Sequence, residues 1–280
     1  MEKLLLTAAL ALASTALAAE TAPADKSGYT LFNPTPRAQM RELSTDRPDQ
    51  TESPYTVDAG HWQIELDFAT YTLDRDAGVR TETWNVAPVN VKLGLTNTTD
   101  LQVMFDSYSR ESVRTGGATT TTKDWGDLTL RLKHNLWGND GGDTALALMP
   151  FVKIPLDTGD TGNDLLEGGL IVPLSVSLPA GWGMGLMTEL DAVTDAAGND
   201  LHAEWVNTVT FSHDLTSRLG GYVEFVSVHS AESGADWVAQ FDAGLTYAVS
   251  DDIQLDGGCN FGLTRSAPDV QPFLGVSLRF

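Results

Sequence analysis

The sequence has 280 residues and a formal net charge of −21, with 38 acidic side chains against 17 Lys and Arg. That acidity argues against nucleic acid as a partner, because a phosphate backbone is bound by basic surfaces. Cys259 is the sole cysteine, so an internal disulfide and a Cys-based metal site are both ruled out.

Met1 to Ala19 carries Lys3, the apolar run Leu4 to Leu17 and small residues at Ala16, Ala18 and Ala19. This is the pattern of a secretory signal peptide over 1–19, and the run is too short for a spanning helix. About 260 residues then remain, enough for one large domain. Residues 20–59 are polar and proline-containing, and they read as an irregular periplasmic extension.

From Gly60 the chain alternates apolar and polar residues with a period of two, strand after strand. Trp62, Ile64, Leu66 and Phe68 oppose Gln63, Glu65 and Asp67 in a first strand over 61–73. A second strand, over 81–95, is irregular at Pro88 and ends at Asn97-Thr98-Thr99. Leu101, Val103 and Phe105 begin a third. The Thr/Gly-rich stretch Thr115 to Lys123 reads as a loop. Leu128, Leu130 and Leu132 alternate with Thr129, Arg131 and Lys133 in the fourth strand. The fifth, over 144–156, is apolar on both faces. After a loop over 157–165, residues 168–178 and 183–193 make a hairpin about Pro179-Ala180-Gly181. Strands follow over 201–213, 218–229, 237–249, 253–264 and 270–280.

The last strand alternates Leu274, Val276, Leu278 and Phe280 with Gly275, Ser277 and Arg279. A terminal strand ending on an aromatic residue resembles the assembly signal of outer-membrane barrels, which makes Phe280 the candidate contact for the barrel-assembly machinery. The count is twelve, an even number of segments long enough to cross a bilayer at a tilt. Aromatic residues fall near the strand ends, as interfacial girdles require. The expected fold is all-β: a transmembrane antiparallel barrel over 60–280 in the bacterial outer membrane, with lipid outside.

One stretch supports this independently. Ser44, Thr45, Asp46, Arg47, Pro48, Asp49, Thr51, Glu52, Ser53 and Pro54, followed by Thr56-Val57 and by Gly60, Gln63 and Glu65, form a dense motif. It resembles the opening of the outer-membrane transporter family of phenol-degradation meta-pathway proteins. The resemblance implies an outer-membrane barrel that passes small molecules, often hydrophobic or aromatic ones. Physically, the charges around the motif's prolines suit a compact turn at the periplasmic mouth. A plug placed in the pore is the alternative.

If the oily faces meet lipid, the polar faces line a lumen. Candidate lining residues are Glu65, Asp67, Asp106, Glu189, Asp191, Glu204, Glu224, Asp242 and Asp256, with Lys92, Arg131, Lys133 and Lys153 on the second, fourth and fifth strands. Such walls set a transverse field that orients polar solutes. Glu65 and Asp67 facing Arg131, Lys133 and Lys153 are the expected constriction. The expected activity is passive diffusion of a small-molecule solute through a charged lumen. A filled structural barrel and a soluble periplasmic binding barrel are the alternatives. Catalysis is not expected: His229 and Ser230 are adjacent on one strand and point to opposite faces. No metal-ligand spacing, phosphate loop or nucleophile elbow is present, so neither metal nor cofactor is expected.

Overall fold

The computed structural model describes residues 25–156 and 165–280. The expected signal peptide and most of the loop over 157–165 lie outside the described residues.

The strands form one closed antiparallel sheet. Its fifteen segments run β1 (Trp62–Asp76), β2 (Val79–Val86), β3 (Val89–Thr96), β4 (Thr99–Phe105), β5 (Tyr108–Thr115), β6 (Ala118–Trp125), β7 (Leu128–Trp137), β8 (Thr144–Ile154) and β9 (Glu167–Ser177), then β10 (Trp182–Thr194), β11 (Leu201–Asp214), β12 (Leu219–Ser230), β13 (Val238–Ser250), β14 (Ile253–Gly262) and β15 (Val270–Arg279). β15 pairs back onto β1, from Gln63↔Arg279 to Leu73↔Val270, which closes the ring. Three staves are each cut once: β2 continues into β3, β4 into β5 and β6 into β7. Counting each as one leaves twelve staves, as the periodicity predicts.

The three cuts lie side by side at one height. Ala87-Pro88 interrupts the first, with Ala87 at φ 56°, and proline cannot donate to a ladder. Asp106 and Gly126 interrupt the others, joined by Gly126 N–H to Asp106 O at 2.6 Å and by Asp106 N–H to Asp127 O at 3.1 Å. Above the cuts, the stretch expected to be a Thr/Gly-rich loop is strand. β5 and β6 pair from Tyr108↔Trp125 to Thr115↔Ala118 about the two-residue turn Gly116-Gly117. Both glycines have positive φ, which the tight turn requires. The threonines there are β-branched residues on a two-sided strand, a role that composition alone does not separate from a polar loop.

The outer face is lipid-ready. All seven Trp are exposed, at 45–54 %, so they do not pack a sandwich core. Trp62, Trp137 and Trp182 ring the end that holds both chain ends of the barrel, and Trp84, Trp125, Trp205 and Trp237 ring the other. Trp182 lies opposite His213 on β11, eight residues from Trp205. Eight residues span ~26 Å along a strand and ~20 Å across a bilayer at the usual tilt, close to the height of an outer-membrane apolar band. Trp182 stacks on His213 at 4.8 Å and Trp237 on His229 at 5.9 Å. Connections at the first end are short, as periplasmic turns are.

The buried interior is polar. Lys92, Lys133, Gln102, Asp100 and Asp242 are among the most deeply buried side chains. The exception is an apolar patch of Met149, Ile171 and Met187, with Phe151 and Val206 against it. This explains why the fifth stave is apolar on both faces: Ala145, Ala147 and Met149 are fully buried on its inner side.

Candidate functional site

What fills the lumen is the chain's own N-terminal segment. Residues 25–43 lie across the mouth at the end that carries both chain ends. Lys26 Nζ meets Asp140 at 2.9 Å, Arg37 pairs with Asp252, and Arg41 Nη2 donates to the Asn97 carbonyl at 2.6 Å. Residues 44–54 then enter the ring of strands. The turn expected at the mouth is therefore inside the lumen, touching staves on every side.

The motif's residue types build this loop. Ser44 Oγ and Ser53 Oγ meet at 2.9 Å, and the Asp46 carboxylate accepts the Ser53 N–H at 3.0 Å. These contacts close the loop on itself before it touches the wall. Asp46 then receives the ammonium groups of Lys92 and of Lys133, the latter at 2.5 Å. Burial would raise the pKa of Asp46, yet Lys133 and Lys92 outweigh it and hold the carboxyl well below the usual range. Glu65 receives Lys92 as well, and it accepts the Asp46 backbone N–H at 3.1–3.2 Å. Glu52 pairs with Arg131 at 2.5 Å. The Glu52 carboxyl is raised by burial and by nearby Asp46, against the pull of Arg131.

The opposite wall is acidic and works through neutral donors. Gln50 N–H and Thr51 N–H each reach Glu224 at 2.8 Å, and the Gln50 side-chain amide reaches Asp242 at 2.7 Å. Thr51 Oγ1 lies 2.6 Å from Thr208 Oγ1. Between the walls, Arg47 spans to Asp67 and Asp256, both at 2.7 Å. Burial pushes the Asp49 carboxyl up to about 7; Glu52 and Asp46 add to the rise, and a hydrogen bond from Thr210 opposes it.

The expected constriction is thereby rearranged. Glu65 and Asp67 do not face Arg131, Lys133 and Lys153 across open space, because the loop stands between them: Arg47 takes Asp67, Glu52 takes Arg131 and Asp46 takes Lys133. Lys153 sits higher, 3.5 Å from Asp127 and 3.7 Å from Glu167. Asp191 is opposite Glu204 near the far end, two residues from Glu189. Asp106 lines a cavity beside Lys153. His229 stacks on Trp237, and Ser230 Oγ instead accepts the Glu232 N–H at 3.1 Å. Among the described residues no group of His, Cys, Asp and Glu has the arrangement of a metal site.

The lumen is not filled throughout. A cavity of about 660 Å³ lies on the far side of the loop, reached by Asp106, Tyr108, Lys153 and Phe273. One of about 350 Å³ lies on the near side, lined by Gly183, Gly220, Gly221 and Tyr222. Arg47 and Pro48 line both. Asp256, read as interior but outside the expected constriction, and Arg47, read as part of a mouth turn, are the residues whose meeting sequence reasoning missed. The alternation of β14 gives the inward side of Asp256, but nothing local announces a partner 209 positions away.

A closed antiparallel barrel with an apolar outer face, two tryptophan belts and a polar interior is a bacterial outer-membrane barrel. The chain belongs to the family described as "Putative MetA-pathway of phenol degradation", whose model matches residues 45–280. Among solved structures it is similar to the COG4313 outer membrane channel from Pseudomonas putida F1, with 13% identity and a TM-score of 0.60 over 85% of this chain and 100% of that one. It is also similar to the beta domain of the Bordetella autotransporter BrkA, with 10% identity and a TM-score of 0.51 over 79% of this chain and 98% of that one. At such identities the likeness is one of fold. No curated protein matches.

Proposed function

We propose that this barrel is a passive channel for small molecules, closed midway by its own N-terminal segment, and that hydrophobic or aromatic solutes are the class it takes. The observation that carries this is the pair of cavities, about 660 and 350 Å³, that meet the same two residues of the segment from opposite sides. A barrel that served only as a scaffold has no need of two chambers. The family description, which refers to phenol degradation, points to aromatic solutes. Tyr108, Met104, Pro88 and Phe273 give the larger chamber an apolar component beside its carboxylates. The second reading, a filled structural barrel, draws on the ion pairs that occupy the middle of the lumen.

The test is single-channel conductance of the refolded mature chain in a planar bilayer, beside a chain lacking residues 20–53. Small discrete steps in the full chain, larger ones in the shortened chain and a change of ion selectivity with Arg131→Glu are expected. A verified folded barrel that is silent in both forms overturns the channel reading and leaves the structural one.

A further inference from the structure

The loop is held unequally around its circumference. Asp46 and Glu52 are fixed by Lys92, Lys133 and Arg131. Arg47 points the other way, to the seam where the first and last staves meet. There Asp67 of β1, Gly275 of β15 and Asp256 of β14 stand side by side in one cross-strand row. The guanidinium lies over Gly275, between the two carboxylates, and 5.7 Å from the centre of the Phe273 ring. A Cβ on Gly275 would collide with Nη2 and Cζ of Arg47 and with the backbone oxygen of Leu66 on β1, so the bare glycine leaves room both for the seam and for the seat of this side chain. Arg47 and Pro48 are also the part of the loop shared by the two cavities.

We infer that Arg47 is the gate of the lumen: solutes cross between its side chain and the wall formed by β14, β15 and β1, while the rest of the loop stays docked. This rests on the channel reading above. Withdrawing the whole loop would separate Asp46 from two buried ammonium groups and Glu52 from Arg131 at once. Swinging one guanidinium off its seat separates only Arg47 from Asp67 and Asp256, and a long flexible side chain can do that inside a cavity on either side. The passage it leaves is bounded by two carboxylates and the face of Phe273. Carboxylates and an aromatic face favour cations and neutral aromatic molecules over anions.

The hydroxyls of Thr51 and Thr208, 2.6 Å apart, allow the two movements to be separated. A Thr51→Cys, Thr208→Cys pair in a Cys259→Ser background, once oxidised, pins the loop to β11; mass spectrometry verifies the bond. Conductance in planar bilayers is then recorded oxidised and reduced. The current is expected to persist in the oxidised form. Arg47→Ala is expected to raise conductance at least about threefold in both forms and to move the reversal potential towards cations. Gly275→Ala keeps the arginine but removes its seat, and it is expected to act in the same direction. A current that vanishes on oxidation and returns on reduction means that the loop must leave, and overturns the proposal. So does unchanged conductance in both Arg47→Ala and Gly275→Ala barrels that keep the heat-modifiable gel mobility of a folded barrel. Silence in every form, the shortened chain included, overturns the channel reading itself.

Discussion

The wall built by β3, β4 and β7 and the wall built by β12 and β13 carry opposite charges and grip the same loop in different ways. On the first, Lys92 and Lys133 are almost wholly buried, with side chains 3 % and 1 % exposed, and both end on Asp46. Charges so removed from water are stable only as a set, and each is a liability without its partner. On the second wall, Glu224 and Asp242 stand directly opposite one another in register, a pairing of like charges that is unfavourable in a bare sheet. Gln50 and Thr51 place neutral N–H and O–H donors there instead of cations. The loop's fixed point therefore lies on the basic side and its adjustable side on the acidic one.

The largest effect is expected where the basic wall loses its charges. Lys92→Met with Lys133→Met leaves Asp46 buried without a cation, which costs about 3–5 kcal/mol when one side of a buried pair is removed. Limited proteolysis of residues 44–54 in the folded barrel should accelerate by a factor of roughly one hundred or more, and adding Asp46→Asn should restore part of the protection. Glu52→Gln removes one charge-assisted contact to Arg131 and should weaken docking by about 1.5–3 kcal/mol in the same assay. If Glu52→Gln exceeds the double lysine variant, the fixed point has been put on the wrong pair.

On the acidic wall, Thr51→Val removes the hydroxyl that donates to Glu224 and should cost about 1.5 kcal/mol, the low end for a hydrogen bond to a charged group. The remaining effect is one of pH. A carboxyl raised in the docked state binds its proton more tightly there than when free. Docking is therefore strongest below the ordinary carboxylate pKa and weakens as pH rises from there to about 7, the docked value of Asp49. Glu52 shifts in the same direction, whereas Asp46, held low, matters only in stronger acid. Proteolysis of the loop, or its hydrogen exchange, should be faster at pH 7.5 than at pH 5.5 by roughly tenfold or more, and Asp49→Asn should flatten the profile. A profile that runs the other way would place Asp49 against a cation.

The barrel was legible because its information is local. Period-two alternation gives each stave, its inward residues and the even count, and the tryptophans mark both interfaces. Pro88 marks the cut in the second stave. The Thr-rich stretch over 118–125 was not legible as strand, because polar β-branched residues on both faces carry no alternation to read. The inward set at Glu65, Asp67, Lys92, Arg131, Lys133, Glu224 and Asp242 follows from the pleat, but their partners do not. Asp46 meets Lys133 across 87 positions and Arg47 meets Asp256 across 209, and a proline-rich polar segment reads equally as a mouth cap. The cue that was available is balance. An inward face with buried lysines on one side and stacked carboxylates on the other needs a counterpart of mixed charge, and the motif's Asp46, Arg47, Asp49 and Glu52 supply one.

Thr51 beside Thr208, halfway up the lumen, is the contact that a segment docked inside the barrel must make. In the Cys259→Ser background, the Thr51→Cys, Thr208→Cys protein assembled in native outer membranes should form an intramolecular disulfide, read as protection of both thiols from alkylation until a reductant is added. Two thiols that remain freely alkylated in a folded barrel would mean that the segment rests outside the ring of strands, and would contradict the account.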